Sequence, residues 1–135
     1  EGLRAAAGDD PRITFTFSFL SEAELVRHIT AAQLIALTHR EMFNSGTALA
    51  ALSLDRPVLL PRNDINERLA AEVGADWVLL YDDPLTGDDL LSALSVLDAR
   101  SEDAAGPDLS ARDWDRCGAS HVNAYRQAVE LARSR

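Results

Sequence analysis

The sequence contains no lysine, so all 13 of its cationic side chains are arginine. Aspartate and glutamate together number 22, and the formal net charge is −9 at pH 7. This balance argues against a nucleic-acid-binding protein, because such a domain neutralises phosphates with clustered basic side chains. A nucleotide ligand is still compatible with the composition, since it requires only a local pocket. We attribute the lack of lysine to the base composition of a high-GC bacterial genome.

Cysteine and long apolar runs are also scarce. Cys117 is the single cysteine, which excludes an internal disulfide and makes a reducing cytoplasm the expected compartment. No apolar run approaches the roughly 20 residues of a membrane-spanning helix, so we expect no membrane span. The Glu1–Ala7 segment has no signal-peptide pattern and no initiator methionine. It looks like the end of a helix, and we expect the chain to be part of a longer protein.

Apolar residues make up 47% of the 135 residues, which is enough for one packed domain. Strict alternation over Ile13–Phe19 predicts a strand, and Ser21 with Glu24 forms a capping box that predicts the start of a helix. Buried strands are predicted at Leu34–Leu37, Pro57–Leu60 and Trp77–Tyr81. Further helices are predicted between Ser45 and Leu54, at Ile65–Val73 and at Leu90–Leu97.

Regular alternation of strands and helices with short connections predicts an α/β fold, a Rossmann-like parallel sheet with flanking helices. We assign residues 1–100 to this domain, residues 101–110 to a linker and residues 111–135 to a long C-terminal helix. One stripe of that helix carries Trp114, Gly118, His121, Tyr125, Ala128 and Ala132. We expect His121 to pack with the two aromatic residues of this stripe.

In open parallel sheets, ligands bind beyond the carboxyl ends of the strands, so the loops that follow the buried strands matter most. The first loop leads to Asn44, Ser45, Gly46 and Thr47 at the start of a predicted helix. Free backbone amides and the helix dipole attract an anion there. Gly46 permits the close approach of a phosphate, and Ser45 and Thr47 carry hydroxyl donors. The alternative is that Asn44 or Ser45 only caps the helix.

Three charged residues lie in the same group of loops. Arg62 directly follows the second buried strand and can pair with a diphosphate or a carboxylate. Arg40 can meet a phosphate, and Glu41 can accept hydrogen bonds from ribose hydroxyls. A solvated loop position is the open alternative for each of the three. The histidines and Cys117 are scattered along the chain, so no metal site is predicted.

Four segments follow one another in a recognisable order: Ser21–Leu25, Ala31–Leu37, Glu41–Leu54 and Asp55–Pro61. This ordered set resembles the donor half of GT-B glycosyltransferases, and it is most similar to the large retaining family four. Trp114 and the Tyr125-Arg126 pair are similar to the helix with which members of that family end. The resemblance covers most of the chain, and the order of the segments is more specific than any one of them.

The sequence also departs from the family pattern. The family carries two glutamates at a fixed spacing, and an ungapped comparison places Met42 and Ala50 at those positions. Glu41 can substitute for the first glutamate only through a local shift. The Asn44–Thr47 loop and the Asn63-Asp64 pair are similar to loops of inverting GT-B enzymes as well. Retention and inversion of the sugar configuration therefore both stay open.

The resemblance implies metal-independent transfer of a sugar from a UDP- or GDP-sugar to an acceptor hydroxyl, with no further cofactor. It places the donor phosphates and nucleotide at Arg40, Asn44, Ser45, Gly46, Thr47 and Arg62. Glu41 is the best candidate for a catalytic residue. The resemblance further implies an N-terminal acceptor domain that is missing from this chain, so that the chain alone is inactive. The alternative function is a non-catalytic, flavodoxin-like binding or interaction module.

Overall fold

The computed structural model describes residues 2–38, 46–101 and 105–133. Within these ranges, the strands are β1 Ile35–Ala36, β2 Val58–Pro61 and β3 Val78–Tyr81. The helices are α1 Gly2–Ala7, α2 Glu22–Ala31, α3 Gly46–Ser53, α4 Asp64–Val73, α5 Gly87–Asp98 and α6 Trp114–Arg133, and a 3₁₀ turn spans Ser110–Arg112. The three predicted buried strands and the predicted helices are present, with ends that differ by a few residues.

The three strands form one parallel sheet in the order β1-β2-β3. Ile35 pairs with Val58 at one end of the sheet, and Pro61 pairs with Tyr81 at the other. Within the described residues, α3 lies between β1 and β2 in the chain and α4 between β2 and β3, as is usual for crossovers between parallel strands. The parallel α/β architecture predicted from the sequence is therefore confirmed.

The central strand β2 organises the core, and all four of its residues are buried. Val58 and Leu60 pack on one face of the sheet, in a cluster that includes apolar residues of α2, α3 and α4. Leu59 packs on the other face with Tyr81 and with Ala93 of α5. Because helices cover both faces, β2 is apolar throughout and does not alternate with polar residues.

Two helices begin with the capping box that the sequence predicts for the first of them. Glu24 accepts a hydrogen bond from the backbone amide of Ser21 at 2.9 Å, and Asp89 accepts one from the amide of Thr86 at 2.8 Å. Hydrogen bonds from the Ser21 and Thr86 hydroxyls, followed by those from their amides, lower the pKa of both carboxyl groups. The charged carboxylates also favour the positive N-terminal ends of α2 and α5.

The predicted strand over Ile13–Phe19 is wrong, because this segment takes no place in the sheet. Alternation indicates an extended chain, but a strand also needs a neighbour that supplies ladder hydrogen bonds. Phe15 and Phe17 stack on each other with ring centroids 5.6 Å apart, and the guanidinium of Arg4 lies over Phe17. Phe19 is 99% exposed, so this apolar face has not entered the core of the described residues.

The segment after α5 returns to the core before the last helix begins. The indole of Trp77 donates to the carbonyl of Ala105 at 3.1 Å, and Leu109 packs against the main cluster. The Arg112 guanidinium then donates to both carboxylate oxygens of Glu72, at 2.7 and 2.9 Å. These contacts attach the region before α6 to the sheet domain.

Helix α6 extends 20 residues and leaves an apolar stripe in solvent. Val122, Tyr125 and Val129 lie on this stripe and are 47%, 73% and 48% exposed. His121 is exposed as well, with Nδ1 2.8 Å from the carbonyl oxygen of Cys117. None of the helices in the described residues combines the length and hydropathy that crossing a membrane demands.

Candidate functional site at the carboxyl edge of the sheet

The carboxyl ends of β1, β2 and β3 lie at the same edge of the sheet because the strands are parallel. Arg62 follows β2 directly, and Asp82 follows β3. Helix α3 lies between β1 and β2 in the chain. It begins at Gly46 and ends at Ser53, shortly before β2 starts at the opposite edge of the sheet. The start of α3 and the Arg62–Asp82 pair therefore belong to the edge at which open parallel sheets bind ligands.

Arg62 is held by two carboxylates from different elements. Its Nε donates to Asp82 at 3.0 Å, and its Nη1 donates to Glu67 of α4 at 3.3 Å. The bonds to Glu67 and then to Asp82 raise the pKa of Arg62 above its ordinary value. A guanidinium has five N–H donors, and these bonds use two of them. Among the residues that the structure describes, no partner is seen for the other three donors, and the side chain is 47% exposed.

The turn that carries Arg62 is fixed by two asparagines. The Asn63 side chain accepts hydrogen bonds from the amides of Ile65 and Asn66, at 3.1 and 2.9 Å, and so caps α4. Asn66 is only 2% exposed and donates to the carbonyl of Pro61 at 2.7 Å. Asn66 is therefore a structural residue that ties α4 to the end of β2. An asparagine at a core-facing position in the first turn of a helix was a sequence signal for such a structural role.

Gly46 and Thr47 form the first turn of α3, and both are exposed. A Cβ atom built on Gly46 meets no atom within 4 Å, so the space beside this turn is open in the described structure. Backbone amides and the helix dipole at the start of a helix favour an anion in such a space. The geometry is therefore compatible with the phosphate-binding role predicted for these two residues.

Four other predicted site residues lie outside the described residues: Arg40, Glu41, Asn44 and Ser45. Their roles stay predictions. Of the predicted set, the structure brings Gly46, Thr47 and Arg62 to the carboxyl edge of the sheet. Among the residues that the structure describes, no three histidine, cysteine, aspartate or glutamate side chains are grouped so that they could hold a metal ion.

Two adjoining grooves, of about 380 and 440 Å³, lie at the opposite, amino edge of the sheet. Both are lined by Asp55, Arg56, Leu97 and Arg100. The guanidinium of Arg56 donates to the carbonyl of Thr30 near the end of α2, at 3.1 Å, and that of Arg100 lies 3.9 Å from the centre of the Trp77 ring. Both arginines therefore have structural roles, since Arg56 holds the end of α2 and Arg100 covers the Trp77 ring. The carboxyl edge remains the better candidate for a ligand site.

Sequence comparison finds two similar proteins whose names belong to the class that the sequence resembles, the glycosyltransferases. The chain is 39% identical, over 127 residues and 94% of its length, to two proteins of Xanthomonas campestris pv. campestris. Both are named GDP-mannose:glycolipid 4-beta-D-mannosyltransferase. The chain spans 36% of the length of these relatives. No protein-family model matches the chain, and no solved structure does.

The chain thus has an α/β, Rossmann-like architecture and is similar in sequence to proteins named as glycosyltransferases. The region that it matches makes up 36% of the length of each of the two bacterial proteins.

Proposed function

We propose that this chain forms the donor-binding part of a mannosyltransferase that uses GDP-mannose and a glycolipid acceptor. The single observation that carries the proposal is the 39% identity over 94% of the chain to proteins named for that reaction. The parallel sheet supports it, since this architecture offers a nucleotide site at the carboxyl ends of its strands. The proposal narrows the predicted UDP- or GDP-sugar donor to GDP-mannose.

The donor diphosphate would meet two features at the carboxyl edge. The amides of Gly46 and Thr47 at the start of α3 would donate to a phosphate oxygen, and the hydroxyl of Thr47 would add a further donor. Arg62 supplies a positive charge that Asp82 and Glu67 hold in place. Amides and a guanidinium that are already oriented stabilise the charge that develops on the leaving GDP, which is the task that a metal ion performs in other enzymes. We propose that no metal ion is required.

The transfer itself replaces one bond at the anomeric carbon of mannose. The acceptor hydroxyl oxygen forms a bond to this carbon while the bond to the GDP phosphate oxygen breaks, and the electron pair of that bond leaves with GDP. The hydroxyl proton passes to a base, for which Glu41 remains the candidate. The relatives are named for a β-mannoside product. A β product from an α-linked donor requires inversion, so we propose that this enzyme inverts.

Helix α6 would join the donor-binding part to an acceptor-binding domain. Its stripe of Val122, Tyr125 and Val129 is exposed in this chain, and the relatives are much longer than the region that the chain matches. Large apolar side chains on one face of a helix are typical of a surface that packs against another domain. The acceptor would bind between that domain and the carboxyl edge of the sheet, in the cytoplasm.

The proposed function is tested with the full-length protein, radiolabelled GDP-mannose and a glycolipid acceptor. We expect mannose in the glycolipid fraction, β-linked as judged by the NMR spectrum of its anomeric centre. We also expect an unchanged rate when EDTA is added in excess over all divalent metal ions in the assay. UDP-glucose offered at the same concentration is the matched control. No transfer from GDP-mannose would refute the substrate, and an α-linked product would refute inversion. Binding of the nucleotide without transfer to any acceptor would favour the non-catalytic, flavodoxin-like module instead.

A further inference from the structure

The hydrogen-bond ladder between β1 and β2 stops one bond early. The amides of Ile35 and Leu37 donate to the carbonyls of Pro57 and Leu59, both at 3.0 Å. In a parallel ladder, a residue whose amide donates to one residue of the neighbouring strand uses its own carbonyl to accept from the amide two positions after that residue. For Leu37 that donor would be the amide of residue 61. Residue 61 is a proline, which has no N–H.

The hydroxyl of Tyr81 occupies the place of this missing donor. Its oxygen lies 3.1 Å from the carbonyl oxygen of Leu37 and donates a hydrogen bond to it. Tyr81 lies on β3, is the direct neighbour of Pro61 in the sheet, and is 3% exposed. Because β2 separates β3 from β1, the tyrosine side chain spans the central strand to make this contact. The hydrogen bond thus connects the two outer strands at their carboxyl ends.

We propose that Tyr81 is a positioning residue for the donor site. By satisfying the carbonyl of Leu37, it fixes the carboxyl end of β1 beside the ends of β2 and β3. Arg62 and Asp82 are the next residues after Pro61 and Tyr81, so the same contact places the end of β1 relative to this charged pair. The inference rests on the proposed function, because it assigns Tyr81 a role in binding the GDP-mannose donor at this edge.

The test is Tyr81→Phe in the full-length protein, assayed with GDP-mannose. This variant keeps the buried ring and removes only the hydroxyl. We expect the KM for GDP-mannose to rise about threefold to tenfold, as the loss of one neutral buried hydrogen bond implies. The kcat should change by less than about twofold, because the hydroxyl is buried against the carbonyl of Leu37 and acts on the donor only through the position of β1. Hydrogen exchange at the Leu37 amide, which donates to the carbonyl of Leu59, should become faster.

Pro61→Ala provides a rescue that a merely structural role for Tyr81 would not produce. The alanine restores an amide at position 61, which can donate to the carbonyl of Leu37 in the ordinary ladder position. In this background, we expect Tyr81→Phe to change the KM by less than about twofold. An equal rise in KM in both backgrounds, or no rise in either, would overturn the inference. A wild-type protein that does not use GDP-mannose would instead overturn the proposed function, before any variant is compared.

Discussion

Arg62→Ala in the full-length protein is expected to lower kcat/KM for GDP-mannose by about 100-fold, the loss typical of removing one oriented donor from a developing negative charge. Arg62 is the first residue after the central strand, and Asp82 and Glu67 hold its guanidinium from two sides. An arginine held in this way needs little reorganisation when the diphosphate arrives. Arg62→Lys keeps the charge but loses the planar fork that two carboxylates hold, so its activity should be intermediate.

Arg68→Ala is the matched control for this prediction. Arg68 is also exposed and lies on α4, but it is not at the carboxyl end of a strand. Its replacement removes the same charge and should leave kcat/KM within about twofold of the wild type. The melting temperature should change little in either variant, because exposed ion pairs contribute little to stability. Equal activities for the Arg62 and Arg68 variants would show that Arg62 does not act on the donor.

Leu60→Ala is expected to lower the free energy of unfolding by about 2–5 kcal/mol. Leu60 is 0% exposed on the central strand and packs in the cluster formed by α2, α3 and α4 with the sheet. Its truncation leaves a cavity between layers that are fixed by strand pairing, so the surrounding side chains cannot close it fully. The loss is a large fraction of the roughly 5–15 kcal/mol that stabilises an ordinary domain. Urea unfolding should show a lower midpoint with an unchanged slope.

Leu91→Ala is the corresponding control, because Leu91 lies on α5 and is 64% exposed. The same chemical change should cost less than about 0.5 kcal/mol there. A Leu60 variant as stable as the Leu91 variant would contradict the position of β2 at the centre of the core. A changed slope of the unfolding curve would indicate instead that the variant had lost two-state unfolding.

The local elements of the fold could be predicted from the sequence because each has a short-range cause. The capping box of Ser21 and Glu24 marks the start of α2, and Gly74 ends α4 with φ 120°. The continuous apolar run of β2 indicates a strand that is buried on both faces. The strand predicted over Ile13–Phe19 was wrong because strand formation also has a long-range cause. Its alternation reports only which side chains share a face, whereas a strand also depends on a neighbour that no local pattern supplies.

The site could be predicted only in part. Parallel topology predicts ligand binding at the carboxyl edge, and Arg62 and Thr47 lie at that edge, but their roles in binding stay predictions. The partners of Arg62 did not follow, since Asp82 is 20 residues away and Glu67 is on the next helix. The contact of Tyr81 with Leu37 joins residues 44 positions apart and depends on the exact register of three strands. Such contacts are set by the tertiary arrangement and leave no periodic signal.

The most direct test of the central claim is an NMR titration of this chain with GDP, UDP and ADP. We expect saturable shifts of the Gly46 and Thr47 amides and of the Arg62 side chain with GDP, at lower concentrations than with the other two nucleotides. The grooves at the amino edge, reported by Arg56 and Arg100, should not respond. Shifts confined to the amino edge, or equal responses to all three nucleotides at the carboxyl edge, would contradict a GDP-specific donor site in this domain.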